Sequence, residues 1–237
     1  MRTMTFRATA AAAAVVLAGS LAACGGGDDS DSAAPEPNED ASFEAGTTMA
    51  DIQEAGTLRL GTKFDQPGFG LQGLDDDPEG FDVEVAKIIA AELGLDPEED
   101  IEYPPAPSEV REQVIEDGDV DLVVATYTIN DERKERISFA GPYYVAGQML
   151  MVTEDNDTIT APEDLADNPD QQVRSVNGST PSENIREYLA SEDQLTLFDE
   201  YSQCEDALGN GQVDVVTTDN VILLGYVDQS EGAYKLV

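Results

Sequence analysis

Residues 121–133, DLVVATYTINDER, run from an apolar segment into three hydroxyl-bearing side chains and end on an arginine, a set able to hold a small anionic group. Asp119 and Asp121 lead into Leu122, Val123 and Val124, which predicts a fully covered strand of a sheet with helices on its faces. Thr126, Tyr127 and Thr128 cannot all continue that buried surface, and strand ends are where open α/β sheets place ligands. Arg133 then falls where a helix should start, with Asn130 as N-cap and Asp131 and Glu132 in its first turn. Taken alone, the stretch is more often a plain strand, a loop and a surface helix with a solvated arginine.

Other positions repeat the pattern. Lys63 stands at the end of a predicted strand over 57–61, although a lysine there is most often a surface residue. Ser179 and Thr180 precede Pro181 at a predicted helix start, where either one serves as N-cap. Asp219 closes a Val-rich strand that ends in Thr217 and Thr218. With no His, and with Cys24 and Cys204 as the only cysteines, the sequence offers no recognisable metal site and no Ser/His or Cys/His nucleophile pair. No cofactor is expected.

The elements that would carry these residues come in order. A short helix stopped by Gly56 leads to the strand at 57–61 and to a loop rich in turn formers, Lys63 to Gly68. Gly80-Phe81-Asp82 opens a helix in which Val83, Ala86, Ile89, Ala90 and Leu93 share one face. A strand at 101–103, a Pro-stiffened loop, a helix over 108–117 and the strand before Thr126 complete a first series, predicted to form a parallel sheet with right-handed crossovers. The aromatic turn SFAGPYY at 138–144 leads into an extended run at 145–152. A second series of alternating helices and strands follows, up to a helix over 220–226. Two α/β lobes with polar strand ends imply a ligand cleft between them.

The first 24 residues have the layout of an export signal. Arg2 and Arg7 precede the apolar run at 8–18, and Leu21-Ala22-Ala23-Cys24 resembles a bacterial lipobox. That resemblance implies cleavage before Cys24, attachment of diacylglycerol to its sulfur and acylation of its new amino group, with palmitate as an acyl chain. Residues 24–50 carry almost no bulky side chains and are expected to form a disordered acidic tether. The net charge of −38 becomes −40 once Arg2 and Arg7 leave with the signal, a surface that repels nucleic acid and anionic lipid, so no nucleic-acid partner is expected.

The ordered set of GFD helix, Thr-rich strand end with Arg, GPYY turn and Asp-bearing second strand resembles the family 3 extracellular solute-binding proteins, across about 58–237. The KFDQPG loop at 63–68 is similar to that of actinobacterial glutamate-binding lipoproteins in particular. The resemblance implies a two-lobed α/β fold of the type II periplasmic-binding-protein kind, each lobe a mixed sheet flanked by helices. It implies a monomeric, non-enzymatic receptor on the outer face of the cell membrane that delivers a polar amino acid to the permease of an ABC importer. Arg133 matches the residue that holds the ligand's α-carboxylate, with Thr126, Thr128, Ser179 and Thr180 around it, and Asp219 matches the acid that takes the ammonium. Lys63 aligns with a side-chain contact, so a second carboxylate is expected: glutamate first, then aspartate or glutamine. On this basis the signal covers 1–23, the tether 24–50, the first lobe 51–146, a hinge strand 147–152 and the second lobe 153–237. An enzyme on the same fold, such as a cyclohexadienyl dehydratase, and a ligand-sensing domain are the alternatives.

Two positions depart from the family pattern. Relatives often carry a cysteine where this chain has Arg174, so no intramolecular disulfide is expected and Cys204 should be a small buried apolar residue. Relatives also continue past the position of Val237 to complete the first lobe, so its C-terminal part is expected to be missing here.

Overall fold

Leu58 and Leu60 are fully buried, and the short segment that contains them becomes the centre of the smaller of two sheets. The computed structural model describes residues 34–74 and 77–237. The signal, Cys24 and the first part of the tether lie outside the described residues.

Helix α1 (Thr48–Ala55) is opened by Thr47, whose hydroxyl accepts the Ala50 amide, and is stopped by Gly56 in the left-handed conformation. Next come β1 (Leu58–Gly61) and a hairpin of β2 (Asp65–Gln66) and β3 (Gly70–Leu71). Helix α2 (Phe81–Glu92), β4 (Ile101–Glu102), α3 (Arg111–Glu116), β5 (Leu122–Val123) and α4 (Asp131–Lys134) complete the first lobe's series. The smaller sheet is parallel throughout in the order β4-β1-β5. Its core joins Leu58 and Leu60 to Ala86, Ala90 and Leu93 on one face of α2, the face read from the helical spacing.

Two expectations change here. The strand at 122–124 was expected to be fully covered, yet β5 sits at the sheet edge and Leu122 and Val123 are only half-buried. The reason is strand order: β1 takes the centre, and beyond β5 lies a mostly apolar cavity of about 570 Å³ lined by Ile115, Ile129, Phe139 and Tyr143 among others. The tether was expected to run disordered to Ala50, yet its last part packs on the first lobe. The Asn38 amide donates to Ala91 O at 2.8 Å, satisfying a carbonyl near the end of α2, and Phe43 lies against the core.

The larger sheet collects β6 (Gln148–Thr153), β7 (Val173–Val176), β8 (Leu195–Phe198), β9 (Val215–Asp219) and β10 (Tyr234–Leu236) in the order β10-β6-β9-β7-β8. It is mixed: β6 runs antiparallel to both neighbours, while β7 runs parallel to β8 and β9. The strand read as a hinge, β6, is therefore paired on both sides within this sheet. Helices α5 (Asp164–Asp167), α6 (Thr180–Asn184), α7 (Tyr201–Gly209) and α8 (Asn220–Gln229) flank it. Alternation along β6 sorts the core. Met151 faces α7 and α8 with Val176 and Val216, whereas Leu150 and Val152 face Leu165 and Ile185 on the other side. Cys204 lies fully buried on α7, where burial raises its thiol to about 12, so it packs as the small apolar residue expected.

The β2–β3 hairpin of the first lobe docks on the second. Asp65 Oδ2 accepts the Tyr201 amide at 2.6 Å, and the Tyr226 hydroxyl donates to the Asp65 carbonyl. A Cβ at Gly225 would stand 2.5 Å from Pro67 O, so only glycine permits this approach of hairpin to α8.

Candidate functional site

The two lobes bring polar strand ends and helix starts to one narrow cavity. Its walls carry Thr126 and Thr128 with Ser108 and Arg111 on the first lobe, and Ser179, Thr180, Tyr201, Thr218 and Asp219 on the second. Five of the seven residues expected to bind ligand thus share this wall. The other two, Arg133 and Lys63, stand immediately behind it.

Arg133 is 7% exposed and bridges the lobes. Asn130 caps α4 by accepting the Arg133 amide at 2.9 Å, which fixes the backbone from which the guanidinium extends. From there Nε donates to Glu112 Oε1 at 3.0 Å, and Nη1 donates to Thr128 O at 2.7 Å and to Thr180 Oγ1 at 3.2 Å. Nη2 reaches Gly178 O at 2.9 Å. Most of its donors are therefore committed to the protein, and the arginine ties the first-lobe strand end to the loop between β7 and α6. Ser179 is the N-cap of α6, accepting the Ser182 amide at 3.2 Å, and Thr180 follows as the first helical residue.

Lys63 is 3% exposed, and its Nζ donates to Ser108 Oγ at 2.9 Å. Burial, with the Arg111 guanidinium nearby, pulls the ammonium down to about 7. Ser108 stands on the cavity wall and Lys63 behind it, so the lysine reaches the cavity through that hydroxyl.

Arg111 is the residue that sequence reasoning missed. It opens the short helix α3, where a lone arginine reads as a surface residue, yet it is 3% exposed and lines the cavity. Nε donates to Ser108 O at 3.3 Å and Nη1 to Ala125 O at 3.0 Å. The guanidinium lies 4.1 Å from the centre of the Tyr127 ring, which also carries Arg133 at 4.7 Å. Among the described residues Arg111 forms no ion pair and its Nη2 has no hydrogen-bond acceptor, unlike Arg133. Burial and the neighbouring Arg133 lower it to about 10. The one signal available beforehand was position: Arg111 follows the Pro-rich loop leading from the second strand, at the same edge as Lys63.

Asp219 ends β9 and precedes α8, but its carboxylate caps nothing and makes no hydrogen bond among the described residues. Burial raises it, against the fields of Arg111 and Arg133. Among the described residues the cavity therefore presents a guanidinium edge without an acid and an acid without a donor, a pair of charges complementary to a zwitterion.

Comparison with known proteins agrees with this architecture. Residues 58–228 match the model for bacterial extracellular solute-binding proteins, family 3. The glutamate-binding protein GluB of Corynebacterium efficiens is 41% identical over 197 residues, which are 82% of this chain and 66% of that protein. The chain thus spans slightly under two thirds of the length of this relative. The glutamine-binding protein GlnH of Bacillus subtilis is 37% identical, over 84% of this chain and 71% of its own. Among solved structures, an ancestral arginine-binding protein bound to glutamine superposes with a TM-score of 0.70 at 35% identity, covering 77% of this chain and 78% of that one. The fold is the two-lobed type II arrangement of those amino-acid-binding proteins. The chain belongs to the bacterial extracellular solute-binding proteins, family 3.

Proposed function

We propose that this chain is the binding receptor of an ABC importer for an acidic amino acid, with glutamate favoured over aspartate and glutamine, and that it catalyses no reaction. The observation that carries the reading is the edge of Arg111 left uncommitted among the described residues, set in the same cavity as Asp219, which is unpaired among them. A buried guanidinium with no anion is costly, and a ligand carboxylate that completes it recovers that cost. In this reading Asp219 takes the ligand ammonium. Thr128, Ser179, Thr180 and the one remaining N–H of Arg133 hold the α-carboxylate, and Thr126 borders them. Arg111 takes the second carboxylate, with Lys63 reinforcing it through Ser108. The name of GluB, a glutamate-binding protein, supports the same choice.

The cavity is about 10 Å³, room for about one water molecule and far too little for an amino acid. An amino acid therefore enters only when the lobes part, and it is held when they reclose. Because β6 is paired on both sides in the larger sheet, it moves with the second lobe, and the hinge in this reading falls just ahead of it, between a first lobe that includes 51–146 and a second lobe that begins with β6. Cleavage of a signal over 1–23 and lipidation of Cys24 would place the receptor on the outer face of the membrane as a monomer, facing its permease. The test is a thermal-shift and calorimetric panel of amino acids. Glutamate should give the largest shift, and stabilisation by basic or apolar amino acids alone would refute the reading.

A further inference from the structure

The GFD sequence that opens α2 contains an acid with a duty of its own. Gly80, at φ 127°, lets the chain pass over Phe69, where a Cβ would stand 2.5 Å from a backbone carbon. This places Asp82 in the first turn of α2, fully buried, with its own amide donating to Phe69 O at 3.0 Å. Its carboxylate does not point into the ligand cavity wall. Oδ2 accepts the Thr126 amide at 2.6 Å, and Oδ1 accepts the Tyr143 hydroxyl at 2.8 Å.

Thr126 is the residue that needs such a hold. It has φ 46°, a left-handed conformation that a β-branched residue adopts only when its surroundings impose it. Its hydroxyl lies 2.9 Å from Gln66 Oε1, which fixes the side chain but not the peptide. The backbone turn at Thr126 also aims the preceding carbonyl, Ala125 O, at Arg111 Nη1. A single buried carboxylate thus stands at the root of both a cavity-lining hydroxyl residue and the cavity-lining guanidinium.

We propose that Asp82 is a positioning residue for the ligand site: it imposes the left-handed backbone at Thr126, and through the Ala125 carbonyl it seats Arg111 against the cavity. Burial raises the Asp82 carboxyl to about 6, against the two hydrogen bonds and the field of Arg111. The fold therefore keeps an acid where a neutral side chain would be easier to bury, as expected of a group retained for its bonds.

The affinity arm of the test rests on the amino-acid reading above, and the backbone arm does not. Amide hydrogen exchange at Thr126 is followed by NMR, and glutamate affinity by calorimetry, for the wild type, Asp82→Asn, Thr126→Gly and the double variant. Asp82→Asn should speed exchange of the Thr126 amide by about tenfold or more and lower glutamate affinity by about tenfold. In the Thr126→Gly background the same substitution should cost less than about threefold, because glycine takes a positive φ without the hold. A purely structural role would lower stability equally in both backgrounds and leave no such rescue. Unchanged protection of the Thr126 amide in Asp82→Asn, or equal affinity losses in the two backgrounds, overturns the proposal. If the wild type binds no amino acid, the function reading fails, and the exchange result still decides this one. If Asp82→Asn does not fold, Tyr143→Phe, which removes only the donor to Oδ1, is read in its place. Exchange about threefold faster at Thr126 supports the proposal, and an unchanged rate overturns it.

Discussion

The two walls of the cavity are built on opposite plans. The first lobe supplies the cations: Arg111 on the wall, Lys63 and Arg133 behind it, each held by hydrogen bonds before any ligand arrives. The second lobe supplies hydroxyls and one acid, Asp219, which has no partner among the described residues. The first wall is preorganised, so its selectivity is set by which charges are already spent on the protein. Among the described residues Arg133 has Glu112 as a counter-ion and Arg111 has none, although both lie on the same tyrosine ring. Two arginines on one ring thus differ in what a ligand can gain from each.

Removing Arg133 should break the contrast most severely. Arg133→Ala leaves Glu112 without its partner and severs the bridge to Gly178 and Thr180, so a loss of roughly 3 to 5 kcal/mol is expected for glutamate, aspartate and glutamine alike in calorimetry. Asp219→Asn probes the opposite wall and should cost about 1.5 to 3 kcal/mol for every ligand that carries an α-ammonium. Glutarate, which lacks the ammonium, should bind the variant as well as it binds the wild type, and a matching loss for glutarate would remove Asp219 from the ammonium role.

A smaller effect separates Lys63 from Arg111. Lys63 is protonated below about 7 and neutral above it, facing Arg111, Asp65, Glu200 and the Ser108 hydroxyl. An acidic ligand gains from the charged form, so glutamate affinity should fall roughly tenfold between pH 6 and pH 8 and level off in Lys63→Met. The sign for stability is the reverse. The folded ammonium titrates near 7 and the unfolded one near 10.4, so the unfolded chain binds more protons between those values and this group makes the fold more stable as pH rises through that window. A glutamate affinity that is flat with pH in the wild type would assign Lys63 to the interior.

Much of this was legible in the chain. The apolar face of α2, the Asn130 cap, a cap at Ser179 or Thr180 and the Thr-rich ends of the strands carrying Thr126 and Thr217 follow from spacing and capping chemistry, because those are local properties. The place of β5 at a sheet edge was not legible, since its apolar residues suit an edge beside a cavity as well as a centre. Arg111 escaped for a related reason. Its burial comes largely from Ala125 O and the Tyr127 ring, contacts made at sequence separations that no helical pattern reports. Thr126 was read as a ligand hydroxyl, but its positive φ and its dependence on Asp82 emerge only when α2 and the strand end are seen together.

The most direct test compares glutamate and glutamine binding to the wild type and to Arg111→Met by calorimetry at pH 7. The two ligands differ only in whether the side chain carries a carboxylate or an amide. The loss for glutamate should exceed the loss for glutamine by about tenfold or more, because only glutamate leaves a buried carboxylate without its partner. Equal losses for the two ligands, or undiminished glutamate binding by the variant, would contradict the assignment of Arg111 to the second carboxylate and with it the acidic-ligand reading.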